Sequence, residues 1–136
     1  MSDYLLDTNI LIRYLRKTEG FSDLLETLAA DDWLHISSIT RFEVVRGMHE
    51  REHESTFAIL NSLETLVVSA EIADMAGEII RAWRARGRTF DDADALVAAT
   101  ALHHGLALVT TNAKHFPMPN LVVFQVNDKG KLTLRE

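Results

Sequence analysis

The chain has 136 residues, 47% hydrophobic and 25% charged, with only 2 Pro and no low-complexity tract. That is enough for one globular domain with its own core and leaves little room for disorder. It has 0 Cys, which excludes disulfides, thiolate metal sites and cysteine nucleophiles. Its net charge of −6 taken as a sum argues against nucleic acid, although the distribution of charge matters more than the sum. Met1-Ser2-Asp3-Tyr4 lacks the basic and apolar regions of a signal peptide, and no apolar run approaches the length of a membrane span, so a cytoplasmic protein with no membrane partner is expected.

Taken in chain order, Tyr4 to Leu6 reads as a short buried strand closed by Asp7. A helix over Asn9–Arg16 follows, with Thr8 or Asn9 as its cap, and Gly20 breaks it. Phe21, Leu24, Leu25 and Leu28 have the spacing of an amphipathic helix over 21–30. Trp33 to Ile36 reads as a second strand. Ser37-Ser38 then caps a helix over 39–46, with Gly47 as a stop signal. A helix over 50–63, a strand over 66–68, a helix from Ala70 to Arg86 capped by Ser69, and an apolar helix over 92–104 closed by Gly105 come next. Strands over 106–109 and 121–124 complete the pattern, and the polar residues after about 127 read as a peripheral tail. Short apolar strands alternating with helices predict a single α/β domain over 1–136, with about five parallel strands and helices on both faces.

Four polar residues stand where a strand gives way to a helix or loop: Asp7, Glu43, Asp94 and Asn112. In an open α/β sheet ligands gather outside the carboxyl ends of the strands, so residues distant in sequence meet there. Converging carboxylates repel unless a cation lies among them, and a hard divalent ion suits oxygen ligands. That points to metal-dependent chemistry on phosphate. Each residue also has a structural reading as a turn residue or helix cap; Glu43, beside an apolar stripe, is the hardest to explain that way. Arg81, Arg84, Arg86 and Arg88 form a basic flank before Asp91-Asp92-Ala93-Asp94. They suit substrate phosphates, or equally a solvated helix C-terminus; Arg13 and Lys114 are further cationic candidates. His49-Glu50-Arg51-Glu52-His53 satisfies the zinc-protease pattern, but its wholly charged surroundings favour a solvated helix start. His103-His104 reads as a helix end.

Leu5-Leu6-Asp7-Thr8-Asn9-Ile10-Leu11, Ser37-Ser38-Ile39-Thr40-Arg41-Phe42-Glu43 with Gly47, Asp94 to Ala101 with Gly105, and Leu108-Val109-Thr110-Thr111-Asn112 with Phe116 together resemble the PIN-domain family, and within it the VapC-type toxins of bacterial toxin–antitoxin pairs. The resemblance spans nearly the whole chain. It implies a three-layer α/β/α sandwich around a parallel sheet and a Mg2+- or Mn2+-dependent endoribonuclease that uses a metal-activated water. By position, Asp7, Glu43 and Asp94 match the family's acids and Asn112 its fourth acidic or amide position, where the missing charge bears on whether a second metal is held. Asp7 and Asp94 are the implied metal ligands and Glu43 a ligand or water-orienting base. Thr8 and Thr110 match hydroxyls that orient ligands from behind, and Asp91 and Asp92 are caps or electrostatic neighbours. The implied partners are an RNA substrate, a cognate antitoxin seated on apolar helical surfaces such as 10–15 and 21–28, and a second copy in a homodimer. Two other readings fit the same residues: an RNA-processing nuclease without an antitoxin, and a catalytically weak nucleic-acid-binding module.

Overall fold

The computed structural model describes residues 3–135. In chain order the elements are β1 (Tyr4–Leu6), α1 (Thr8–Leu15), α2 (Phe21–Asp31), β2 (Leu34–Ser37), α3 (Ser38–Gly47), a 3-10 turn at Glu50–Glu52, α4 (His53–Ser62), β3 (Glu64–Leu66), α5 (Ala70–Arg84), α6 (Asp92–His104), β4 (Ala107–Thr110), a 3-10 turn at Ala113–His115, β5 (Val123–Val126) and β6 (Leu132–Leu134). The strands form one sheet in the order β3-β2-β1-β4-β5-β6. β1 to β5 run parallel, and β6 pairs antiparallel with β5.

Side chains alternate across a strand, and the alternation divides the core into layers. Leu6 and Val109 face one side, with Ile10, Leu11, Phe21, Leu24 and Val44 from α1, α2 and α3. Leu5 and Leu108 face the other, with Val97, Ala98 and Ala101 from α6 and Phe116 from the following loop. α6 is apolar nearly all round because it is buried: α5 covers its far side through Ile72 and Ala76, which meet Ala95 and Ala99. Small residues on α6 let the two helices approach closely.

The expected fold is present, although β3 and β5 are each displaced by two residues from the expected 66–68 and 121–124, and it departs from expectation in three further ways. The sheet has six strands and is mixed, because Leu132–Leu134 form an edge strand where a tail was expected. That segment has a period-two pattern too short to separate from a polar terminus. Arg135, just past it, donates to the carbonyls of Phe116, Met118 and Leu121, which ties the end of the chain to the loop after β4. Second, the cap of α1 is Asp7 itself, whose carboxylate accepts from the Thr8 N–H. Third, the 50–63 helix begins as a 3-10 turn. There the His49 N–H donates to Glu52 Oε1 at 2.7 Å in a capping box, and the His53 ring packs on Phe57 with centroids 4.8 Å apart. The zinc-protease spacing is thus spent on starting a helix. No helix among the described residues is long and apolar enough to cross a membrane.

The β5–β6 turn is fixed by a close backbone approach. Gly20, at φ +89°, lies against Lys129 and Gly130; a Cβ on Gly20 would stand 1.9 Å from the Lys129 carbonyl oxygen. By contrast, nothing among the described residues lies within 4 Å of the Cβ position of Gly77, in the middle of α5. Gly20→Ala is expected to destabilise the protein by about 2–4 kcal/mol through left-handed strain plus overlap. Gly77→Ala should stabilise it by about 0.5–1 kcal/mol through helix propensity. Urea unfolding midpoints of both variants test this.

Candidate active site

The strand order places a topological switch between β1 and β4: β2 and β3 lie to one side of β1, β4 and β5 to the other. Connections leaving neighbouring strands in opposite directions open a crevice at their carboxyl ends. Asp7 leaves β1 and Thr110 ends β4 at that crevice. The Asp7 N–H donates to the Val109 carbonyl at 2.9 Å, which extends the β1–β4 pairing to the acid itself.

Asp7 is 6% exposed. Its Oδ1 accepts from the Thr8 N–H at 2.8 Å and its Oδ2 from the Thr110 hydroxyl at 2.7 Å. The Thr8 hydroxyl donates to Glu43 Oε1 at 2.6 Å and lies 3.2 Å from the buried Thr40 hydroxyl. Glu43 reaches this point because Ser37 caps α3 and sets its entry from β2. On the same helix Arg41 donates to the Leu60 carbonyl, the Thr65 hydroxyl and the Asn61 side chain, which ties α3 to α4 and β3. Asp94 lies in the first turn of α6, which Asp91 caps by accepting from the Asp94 N–H at 3.4 Å. His115 Nδ1 stands 3.5 Å from Asp94 Oδ2.

The electrostatics bind these acids into one cluster. Burial pushes the Asp7 carboxyl above its ordinary value; the Thr110 and Thr8 hydrogen bonds oppose this, the Glu43 charge adds to it, and His115 counters it. Asp94 is pushed up to about 6 by burial and by the charges of Asp7 and Asp91, with His115 opposing and Glu43 adding a smaller push. Repulsion between the acids is therefore only partly offset within the protein. A cation would relieve it. Among the described residues no group of three His, Cys, Asp or Glu side chains stands close enough to hold a metal ion between them. The donors that approach one another are all oxygens, the type a hard divalent cation takes.

Of the expected site residues, Asp7, Glu43, Thr8 and Thr110 are joined by hydrogen bonds, and Asp94 is near enough for the Asp7 and Glu43 charges to act on it. Asn112 is linked differently. Its N–H donates to the Thr110 hydroxyl at 3.0 Å, while its side-chain amide makes only a 3.4 Å contact with the Thr111 hydroxyl. Among the described residues no hydrogen bond joins that amide to the three acids. In the basic flank, Arg88 donates to the Lys114 carbonyl at 2.5 Å, next to His115. Arg86 lies 4.2 Å over the Trp83 ring, Arg81 pairs with Glu78 at 2.9 Å, and Arg84 is exposed on the last turn of α5. Of these four arginines, and among the described residues, Arg88 alone has a hydrogen bond that leads toward the site. His115 and Thr40 were missed from sequence: a histidine three residues past Asn112, and a threonine inside a helical run, have no spacing signal of their own.

Residues 4–118 match the PIN-domain family. The chain belongs to the PIN-domain family. Within that family it is similar to VapC proteins. It is 35% identical to ribonuclease VapC19 of Mycobacterium tuberculosis over 115 residues, covering 84% of this chain and 92% of that protein. It is 34% identical to ribonuclease VapC1 of Methanocaldococcus jannaschii over 129 residues, covering 94% and 89%. Its fold resembles that of VapBC2 from Rickettsia felis bound to a DNA fragment from their promoter, with TM-score 0.77, 29% identity, and coverage of 88% of this chain and 96% of that one.

For this PIN domain the raised Asp94 carboxyl has a definite sign. A raised folded-state pKa means stability that is fully present below the unfolded value near 3.8 and declines as pH rises through about 6. In metal-free buffer Asp94→Asn should therefore be more stable than the wild type by about 1–2 kcal/mol at pH 7. The difference should vanish below pH 4. Thermal or urea unfolding of both proteins across pH 4–8 with chelator present checks this.

Proposed function

We propose that this PIN domain is a Mg2+- or Mn2+-dependent endoribonuclease and the toxin of a toxin–antitoxin pair. The observation that carries the enzymatic part is the partly buried, mutually repelling set Asp7–Glu43–Asp94 at the sheet's switch point. A purely structural ion cluster would be expected to contain its counter-cation; among the described residues no Lys or Arg is paired with these acids, and His115 stands 3.5 Å from Asp94 alone. In this reading Asp7 and Asp94 hold the divalent cation. When bound, it supplies charge neutralisation and Lewis acidity for phosphodiester hydrolysis. Thr110 and the Thr8 N–H keep both Asp7 oxygens in place. Glu43, oriented by the Thr8 hydroxyl, aligns the attacking water or shares the cation. Arg88, bonded to the Lys114–His115 turn beside Asp94, is the candidate for contact with substrate phosphates. A water nucleophile does not need the 2′-hydroxyl, so the preference for RNA rests on the relatives, which are named ribonucleases.

The partner side of the reading is supported by the solved neighbours. Besides the Rickettsia felis complex, they include a toxin–antitoxin complex from Klebsiella pneumoniae with TM-score 0.72 and 29% identity, covering 87% of this chain and 93% of that one. The helical surfaces expected to receive an antitoxin are largely core: Ile10, Leu11, Phe21, Leu24, Leu25 and Leu28 are buried. Among the openings that remain are two adjoining grooves of about 660 and 440 Å3 between α1–α2 and α4, both lined by Tyr14 and Ile59. The antitoxin segment is assigned to those grooves. A homodimer and a cytoplasmic location complete the proposal.

The test is cleavage of a mixed pool of labelled RNAs with Mg2+ or Mn2+. Cutting should stop with chelator and fall at least about a hundredfold in Asp94→Asn. Thr110→Val, which frees one Asp7 oxygen, should cost about 10–100-fold. Metal-independent cutting, or full activity in Asp94→Asn, would refute the reading; RNA binding without cutting would favour a binding module.

A further inference from the structure

Beside the acids lies a second feature that the proposed chemistry does not use. The carboxyl ends of β4 and β5 and the start of α1 enclose a polar cleft of about 500 Å3. It begins two residues after Asp7, at Asn9, and includes Asn112, whose N–H bonds the hydroxyl that holds Asp7. Its volume lies within the range of small-molecule sites.

One wall is rigid. The Gln125 side chain donates to the Thr111 and Val126 carbonyls and accepts from the Ala113 N–H, so both its donors and one of its two acceptor sites are used in fixing the loop. The other amides are not used up. Asn127 accepts from the Lys129 and Lys131 N–H groups through Oδ1, which leaves its NH2 uncommitted among the described residues. Asn9 is exposed, and its side chain makes no hydrogen bond among the described residues. Asn112 has only the weak contact with Thr111. Arg13 uses one N–H on the exposed Asp128 at 3.3 Å and packs over Phe21. A guanidinium has five donors, so four remain for an anion.

Amide side chains both donate and accept, as the edge of an unpaired base does. A guanidinium complements a phosphate. We propose that this cleft binds the nucleotide adjoining the scissile phosphate, with Arg13 on its phosphate and Asn9 and Asn127 on its base edge, and so sets the base preference of cleavage. The proposal rests on the ribonuclease reading for its biological meaning, but nucleotide binding is measurable without activity.

The test is titration of the 15N-labelled, metal-free full chain with the four nucleoside 5′-monophosphates and with ribose 5-phosphate, followed by NMR. The side-chain amides of Asn9 and Asn127 should shift saturably and unequally among the four bases, and ribose 5-phosphate should move only the Arg13 signals. Asn9→Ala, at an exposed helical position, should weaken the preferred nucleotide about five- to tenfold, the value of one or two hydrogen bonds. The same variant should flatten the ratio of cleavage among bases at one position of an RNA pool, a ratio that a loss of folded protein leaves unchanged. Identical shifts with all four bases, shifts reproduced by ribose 5-phosphate, or an unaltered cleavage ratio in Asn9→Ala would overturn the proposal. Absence of any cutting by the wild type would instead count against the ribonuclease reading, and the spectra would still decide the cleft.

Discussion

Everything at the carboxyl end of this sheet depends on one buried carboxylate. Asp7 is the last residue paired along β1, the cap of α1 and the centre of the acidic cluster. A buried carboxylate is costly unless its oxygens are hydrogen-bonded. Here one oxygen is held by the start of α1 and the other by Thr110 at the end of β4. The strand pairing that builds the fold and the hydrogen bonds that orient the acid are therefore the same set of contacts. A change that loosens β1 from β4 also loosens Asp7.

The loops around that point are held by long polar side chains acting on backbone. Arg41 ties α3 to the α4–β3 junction, Gln125 holds both sides of the turn after β4, and Arg135 gathers the carbonyls of the loop leading into β5. None of these contacts neutralises the acids. The architecture spends its polar contacts on fixing geometry and leaves the charge at the crevice unbalanced, which favours a cationic ligand over a closed ion-pair network. Strain of this kind is stored where function needs it and offset by the core elsewhere.

Much of this was legible in the sequence because it follows from period and punctuation. The apolar runs at Leu5-Leu6 and Leu108-Val109, the serines capping α3 and α5, and Gly105 closing α6 each have a local physical signature. The approach of Asp7 and Glu43 followed from placing acids where a strand gives way to a helix; Asp94 opens α6 directly after α5 and not after a strand, and it is brought to the same end of the sheet by the packing of α6 on β1 and β4. Less legible were features set by tertiary contact. Leu132-Thr133-Leu134 becomes a strand only because β5 offers an open edge, and its turn depends on the approach of Gly20 to Lys129. Asn112 stands in the expected position, but its side chain faces an amide-lined cleft that no linear pattern encodes. His115 reaches Asp94 through a 3-10 turn whose shape is imposed by Gln125 and Arg135.

The central claim is that the three acids form one centre whose repulsion a divalent cation relieves. Calorimetric titration of the protein with Mg2+ in buffers of different ionisation enthalpy measures it directly, because a cation binding near a carboxyl with pKa about 6 must displace its proton. The account predicts Mg2+ binding that releases more protons at pH 6 than at pH 8, with about half a proton of the release at pH 6 coming from Asp94 and lost in Asp94→Asn. Binding without proton release at pH 6, or release undiminished in Asp94→Asn, would contradict it.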